Sequence, residues 1–144
     1  MRGDLPLAGM RVLVMEDEHL IAMDVELLCR EHGAAEVVLV HALDEAGEML
    51  AEAVPDAGIL DVALAGQPTF GVARELAARG IPFVFATGHA DAEGLFDDFP
   101  DVAVIGKPFA DGALMEALAA AIARPGPEAV SETVSETGAQ SGDA

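Results

Sequence analysis

The sequence predicts an α/β fold: a doubly wound, five-stranded parallel sheet with helices on both faces. Three observations predict it. Short apolar runs alternate along the chain with longer segments of helical period. The apolar runs are continuous rather than alternating, which suits strands buried on both sides. The chain has 144 residues and is 52% hydrophobic, enough to build a core, and its length suits one domain with no room for two. Aromatics are only 4%, with no Trp and no Tyr, so Ala, Val, Leu and Ile must build that core.

The first strand is Arg11–Met15, an apolar run with Gly9 before it and acids after it. From His19 to His32, Leu20, Met23 and Leu27 recur at helical spacing, with Ile21 and Leu28 beside them, and Gly33 is a natural stop. Val37–Val40 is the second strand. Asp44–Ala53 reads as a helix ended by Val54-Pro55, because a residue before proline is pushed out of the helical region. Gly58–Asp61 is the third strand, and Gly66-Gln67-Pro68 marks a loop. Gly71–Arg79 is the third helix, closed by Gly80. Pro82–Thr87 is the fourth strand, followed by Gly88. Asp91–Phe99 is a short, weak helix, since Gly94 and the pair Asp97-Asp98 lower its propensity. Val102–Ile105 is the fifth strand. Asp111–Arg124 is the last helix, with Asp111 as its N-cap and Pro125-Gly126 as its end. The domain therefore spans residues 9–124. Residues 125–144 are rich in Gly, Ser, Thr, Pro and Glu, repeat Val-Ser-Glu-Thr, and read as a flexible acidic tail.

Charge narrows the function. There are 26 acidic residues against 7 basic ones, a formal net charge of -19. Such a surface is repelled by phosphate backbones and by anionic bilayers, so neither nucleic acid nor membrane is expected as a partner. Cations, or basic patches on a protein, are the attracted classes. The single cysteine, Cys29, excludes an intramolecular disulfide and reads as a small buried hydrophobe in the first helix. The N-terminal residues carry no secretory pattern, and no run approaches the roughly 20 apolar residues that span a bilayer. The expected location is the cytoplasm.

In an open parallel sheet, ligands bind beyond the carboxyl ends of the strands. Glu16, Asp17 and Glu18 stand there after the first strand, Asp61 ends the third, and Thr87 ends the fourth. Lys107-Pro108 follows the fifth, and Lys107 is the only lysine in the chain. Glu16, Asp17 and Asp61 converge from neighbouring strands, and three close carboxylates repel unless a cation joins them. All-oxygen ligation of this kind suits Mg²⁺, which often binds beside a phosphate. The Thr87 hydroxyl and the Lys107 ammonium then face the other side of an anion. The constellation reads as a site for a phosphoryl group on a carboxylate.

These pieces, in this order on these strands, resemble the receiver domain of bacterial two-component response regulators. The resemblance covers roughly residues 9–124. Pro82-Phe83-Val84-Phe85-Ala86-Thr87-Gly88 is similar to the Pro-Phe-x-Phe-Ala-Thr-Gly-Tyr motif of a single-domain subfamily, with His89 in place of the Tyr. Typical receivers carry Pro before the Gly that follows the phosphoacceptor, where this chain has Ala65. They also carry an aromatic residue three positions before the lysine, where this chain has Val104. Both departures suit the subfamily.

The resemblance implies the flavodoxin-like strand order 2-1-3-4-5. It implies that Asp61 accepts a phosphoryl group from a histidine kinase or phosphotransfer protein and that the domain signals by protein-protein contacts, a downstream regulator protein being one candidate partner. Asp17, with Glu16 in support, would hold Mg²⁺ together with Asp61 and the backbone carbonyl of Ala63. Thr87 and Lys107 would bind phosphoryl oxygens, and Pro108 would aim the lysine through a cis peptide. With Val104 in the switch position, the readout would run through Phe85, His89 or the 88–100 segment. The domain is expected to be a stand-alone phosphoacceptor and not an enzyme, its only chemistry being its own phosphorylation and dephosphorylation. The alternatives in the same fold are a pseudo-receiver that only binds and a phosphate sink.

Other residues read more plainly. Glu18 is a helix-start acid, and His19, His32 and His41 lack metal-ligand spacing. His89 either gates water at the site or has no role. Phe83 and Phe85, two apart on one strand, share a face and pack in the core. A dehalogenase-like phosphatase would need Asp-x-Asp after the first strand, and Asp17-Glu18-His19 breaks that pattern. A flavin site would need a Gly/Ser/Thr-rich phosphate loop where three acids stand.

Overall fold

The computed structural model describes residues 5–64, 66–87, 99, 101–107 and 109–124. The long apolar runs become the strands β1 (Arg11–Met15), β2 (Glu36–Val40) and β3 (Ala57–Asp61). Later in the chain come β6 (Phe83–Thr87) and β7 (Val104–Gly106). They pair in parallel in the order β2-β1-β3-β6-β7. A two-stranded hairpin, β4 (Ala63–Leu64) and β5 (Gln67–Pro68), lies outside this sheet. With the hairpin set aside, the order is the predicted 2-1-3-4-5. The central β3 and its neighbour β6 are buried along their whole length, and the edge strands β2 and β7 are only partly covered.

The helices α1 (His19–Glu31), α2 (Leu43–Glu52), α3 (Phe70–Ala78) and α4 (Asp111–Ala123) cover both faces. Alternation along the strands makes two cores. Val12 and Val14 of β1, Ala57 and Ile59 of β3, and Val84 and Ala86 of β6 pack with Val25, Leu28, Leu114 and Leu118 of α1 and α4. Leu13, Met15, Leu60, Phe83 and Phe85 pack on the other face with Ala46, Leu50, Ala73 and Leu76 of α2 and α3. Phe83 and Phe85 do share a face, with their rings edge-on at 5.5 Å. Phe99 joins them at 6.1 and 5.5 Å.

Several expectations need correction. The stripe Leu20, Met23 and Leu27 faces solvent, at 78%, 59% and 59% exposure. The buried stripe is Ala22, Val25, Leu28 and Cys29. The helix carries two apolar stripes, and the sheet takes the one that includes the small residues Ala22 and Cys29. The fifth strand starts at Val104 rather than Val102. The Val102 N–H is held by the Phe99 carbonyl at 3.2 Å, which turns the chain before it enters the ladder. The loop at 66–68 is part of the β4–β5 hairpin, whose two-residue strands are too short for a periodic signal. Asp111 is not the N-cap; Ala110 is, and Asp111 lies inside the first turn, where its charge still suits the helix dipole. The weak helix at 91–99 falls, apart from Phe99, outside the described residues, as does the tail at 125–144.

The packed structure also begins before residue 9. Leu7 is fully buried, its N–H donates to the His32 carbonyl at 2.9 Å, and the Gly9 N–H donates to the Gly33 carbonyl at 3.1 Å. Gly33 has φ +104°, and a Cβ there would lie 2.9 Å from Ala8 Cα and 3.0 Å from its nitrogen. Gly66 also has positive φ, +84°, but a Cβ there would meet nothing. Gly66→Ala should therefore cost about 1–2 kcal/mol from backbone strain alone. Gly33→Ala should cost more, since backbone must also move. Urea unfolding of both variants checks the ranking, and equal costs would contradict it.

Cys29 is completely buried, as expected. Burial, then the nearby Glu26 charge, pushes its thiol up to about 12, with Arg30 opposing. The thiolate is the reactive form. A thiol reagent at mildly alkaline pH should label Cys29 only after unfolding; rapid labelling of the native protein would contradict this burial.

Candidate functional site: an acidic cluster bridged by a lysine

The alternation that divides the cores also aims the site. Glu16 continues the face of Val12 and Val14, Asp61 the face of Ala57 and Ile59, and Lys107 the face of Ile105. Register then brings them side by side. Met15 pairs with Leu60, Asp61 with Ala86, Ala86 with Ile105, and Thr87 with Gly106. Glu16, Asp61, Thr87 and Lys107 are each the last of their strand or one beyond it, and Asp17 stands two beyond β1. The side chains of Glu16, Asp61 and Lys107 meet past the carboxyl edge of the sheet, with Lys107 reaching across β6 from β7, because strand length, register and face all agree.

Lys107 Nζ donates to Glu16 Oε1 at 2.6 Å and to Asp61 Oδ2 at 2.9 Å. The second oxygen of Glu16 accepts the Glu18 N–H at 3.1 Å. The Ala63 N–H points at Asp61 Oδ1 from 3.5 Å. Glu16 and Asp61 are buried, at 4% and 8% exposure, while Asp17 is exposed. Carboxylate oxygens of Glu16, Asp17 and Asp61 lie within 4.8 Å of one another. This is an acidic cluster of hard oxygen donors, and it fits a divalent cation.

Burial raises the Glu16 pKa above the ordinary glutamate value, and the Asp61 charge adds to this. The Lys107 hydrogen bond and charge, with the Glu18 N–H, pull it back only in part. Burial alone would lower the Lys107 pKa, but its bonds to Glu16 and Asp61 together outweigh that and hold it above the usual lysine value. The lysine is therefore a fixed cation between two acids.

Thr87 ends β6, is buried at 4% exposure, and its carbonyl accepts the Lys107 N–H at 2.7 Å. The backbone thus ties the threonine to the lysine. Ala63 pairs with Pro68 across the hairpin, two residues past Asp61. His89 and Pro108 lie outside the described residues. Val104 packs against the second core from edge strand β7, and Phe85 is fully buried within that same core.

Sequence reasoning missed two neighbours. His41 follows β2, holds the Glu16 carbonyl through Nδ1 at 3.0 Å, and stacks on His19 with ring centres 4.4 Å apart. Its position after a strand end was the available signal. Thr69, completely buried, donates its hydroxyl to the Asp61 carbonyl at 2.6 Å. A threonine before a helix reads as an ordinary cap, which hid it.

No protein-family model and no curated protein matches the sequence. Solved structures do match. SdrG from Sphingomonas melonis Fr1 is 38% identical with a TM-score of 0.68, over 81% of this chain and 97% of that one. A response regulator receiver protein from Sinorhizobium medicae WSM419 is 27% identical with a TM-score of 0.71, over 79% and 94%. The response regulator PhyR from Brucella abortus is 25% identical with a TM-score of 0.69, over 96% and 55%. The chain spans about half, 48%, of another match, the PhyR stress response regulator. With 38% identity across nearly all of SdrG, the chain belongs to the same family as that protein, and it has the fold of a response regulator receiver domain.

Proposed function

We propose that the chain is a phosphoacceptor receiver of a two-component phosphorelay and that Asp61 is the residue phosphorylated. The observation that carries this reading is the buried Asp61 carboxylate held between the sole lysine and the acidic pair Glu16-Asp17. A carboxylate so placed is a nucleophile whose charge is steadied without being removed.

In the step, an Asp61 carboxylate oxygen attacks the phosphorus of a phosphohistidine on a donor protein. The new O–P bond forms as the N–P bond breaks, and the electron pair leaves with the imidazole nitrogen. Asp61 Oδ1, which among the described residues has only the long Ala63 N–H contact, is better placed to attack than Oδ2, which Lys107 holds. Lys107 then transfers its pairing to a phosphoryl oxygen, and the Thr87 hydroxyl binds another. Glu16, Asp17 and Asp61, with the Ala63 carbonyl, would hold Mg²⁺, and when bound it supplies charge that neutralises the transferring oxygens. The product is an aspartyl phosphate that biases a two-state domain, not a released product.

The partner surface follows from α1. The exposed Leu20, Met23 and Leu27 begin three residues past Asp17, so a donor that reaches Asp61 would meet this stripe. Leu20→Ser with Met23→Ser should slow transfer from a phosphorylated protein donor by about tenfold or more. Labelling by acetyl phosphate, which needs no docking surface, should be unchanged. Equal loss in both assays would contradict a docking role.

Intact-mass spectrometry after incubation with acetyl phosphate tests the main reading. A single phosphoryl adduct that requires Mg²⁺ supports it. No adduct from acetyl phosphate, and none from a panel of phosphorylated kinases, would leave a module that signals by binding alone.

A further inference from the structure

Thr69 stands eight residues after Asp61, at the far end of the β4–β5 hairpin, and is completely buried. It is the N-cap of α3, where a threonine hydroxyl ordinarily accepts an N–H of the first turn. It makes no such bond here. The hydroxyl instead donates to the Asp61 carbonyl at 2.6 Å and lies 3.1 Å from the Val62 carbonyl. The Thr69 N–H donates to that same Val62 carbonyl at 3.0 Å. One residue therefore holds both carbonyls of the turn that carries Asp61 out of the sheet.

A local preference that is set aside at a strand end marks a demand from elsewhere in the molecule. The demand here is direction. The Asp61 side chain must leave β3 toward Lys107, while the backbone reverses at once so that the Ala63 N–H faces Asp61 Oδ1. Val62 links the two, and its peptide orientation decides both. With the Val62 and Asp61 carbonyls pinned from one side, the Ala63 N–H is left on the other, toward the carboxylate.

We infer that Thr69 is a positioning residue, whose hydroxyl fixes the orientation of Asp61 and of the Ala63 peptide for phosphoryl transfer. The inference rests on the phosphoacceptor reading of Asp61. Thr69 touches no reacting atom and acts only through the Asp61 and Val62 carbonyls.

The test compares wild type, Thr69→Val and Thr69→Ser for the initial rate of adduct formation with acetyl phosphate and Mg²⁺. The temperature is set well below the melting point of each protein. Thr69→Val keeps the shape and loses the donor, and its saturating rate should fall about 10- to 100-fold at little-changed half-saturation. Thr69→Ser restores the donor and should return close to the wild-type rate. A purely structural hydroxyl would lower the melting temperature of Thr69→Val but leave its rate per folded molecule unchanged, and that result overturns the inference. So does a Thr69→Ser protein as slow as Thr69→Val. If Thr69→Val fails to fold, Thr69→Ala, which forces no methyl against the carbonyls, replaces it with the same expected slowing. A wild type labelled neither by acetyl phosphate nor by a panel of phosphorylated kinases overturns the phosphoacceptor reading and this inference together, whereas a labelled wild type with an equally fast Thr69→Val overturns the inference alone.

Discussion

Lys107→Ala should lower stability by about 1–3 kcal/mol at neutral pH, because it strips the hydrogen-bonding cation from two buried carboxylates. The loss should depend on pH in a fixed direction. The Glu16 pKa is already raised by burial, and removing the lysine raises it further. An acid whose folded pKa exceeds its unfolded one binds its proton better when folded. It adds stability below the unfolded value, and that addition is lost as pH rises through the folded value. The deficit of the variant should therefore be small on the acid side of the glutamate range and reach its full size above the raised Glu16 pKa. In wild type the Lys107 pKa is raised, so the stabilisation by the pair persists through neutral pH. It is lost only as pH rises past the ordinary lysine range and through the folded lysine pKa. Urea unfolding of both proteins across pH checks this, and a deficit flat in pH would contradict it. Added Mg²⁺ should stabilise the variant more than wild type, since no ammonium then competes for the carboxylates.

Asp61→Asn should lose phosphorylation altogether, a drop on the order of a thousandfold or more. The amide keeps the size of the carboxylate and one oxygen for Lys107, but it is no nucleophile. The fold should survive, since the substituted side chain would still lie at the end of β3 and the Thr69 hydroxyl bonds the backbone there, not the side chain. Circular dichroism alongside the mass measurement separates loss of chemistry from loss of structure. An adduct on Asp61→Asn at the wild-type rate would move the acceptor elsewhere in the cluster.

Much of the site was legible in the sequence because strands announce their own ends. Glu16, Asp61 and Thr87 each close a continuous apolar run or follow it directly, and Lys107 stands two past Ile105. In a parallel sheet those ends lie on one edge, and register and face then bring Glu16, Asp61 and Lys107 together. What was illegible needed three dimensions. The α1 pattern offers two stripes, and only packing against the sheet selects Ala22, Val25, Leu28 and Cys29 over Leu20, Met23 and Leu27. Leu7 docks through backbone bonds to the α1–β2 turn that no periodicity encodes. Thr69 and His41 act on main-chain carbonyls, and a sequence does not show which carbonyl a side chain will reach.

The most direct test is to locate the phosphoryl group. Borohydride reduces an aspartyl phosphate to homoserine, which marks the acceptor permanently for peptide mapping. After labelling with acetyl phosphate and Mg²⁺, homoserine at position 61 and nowhere else is the expected result. Homoserine at position 17, or an adduct that survives as a phosphohistidine at His41, would contradict the account of Asp61 as the phosphoacceptor.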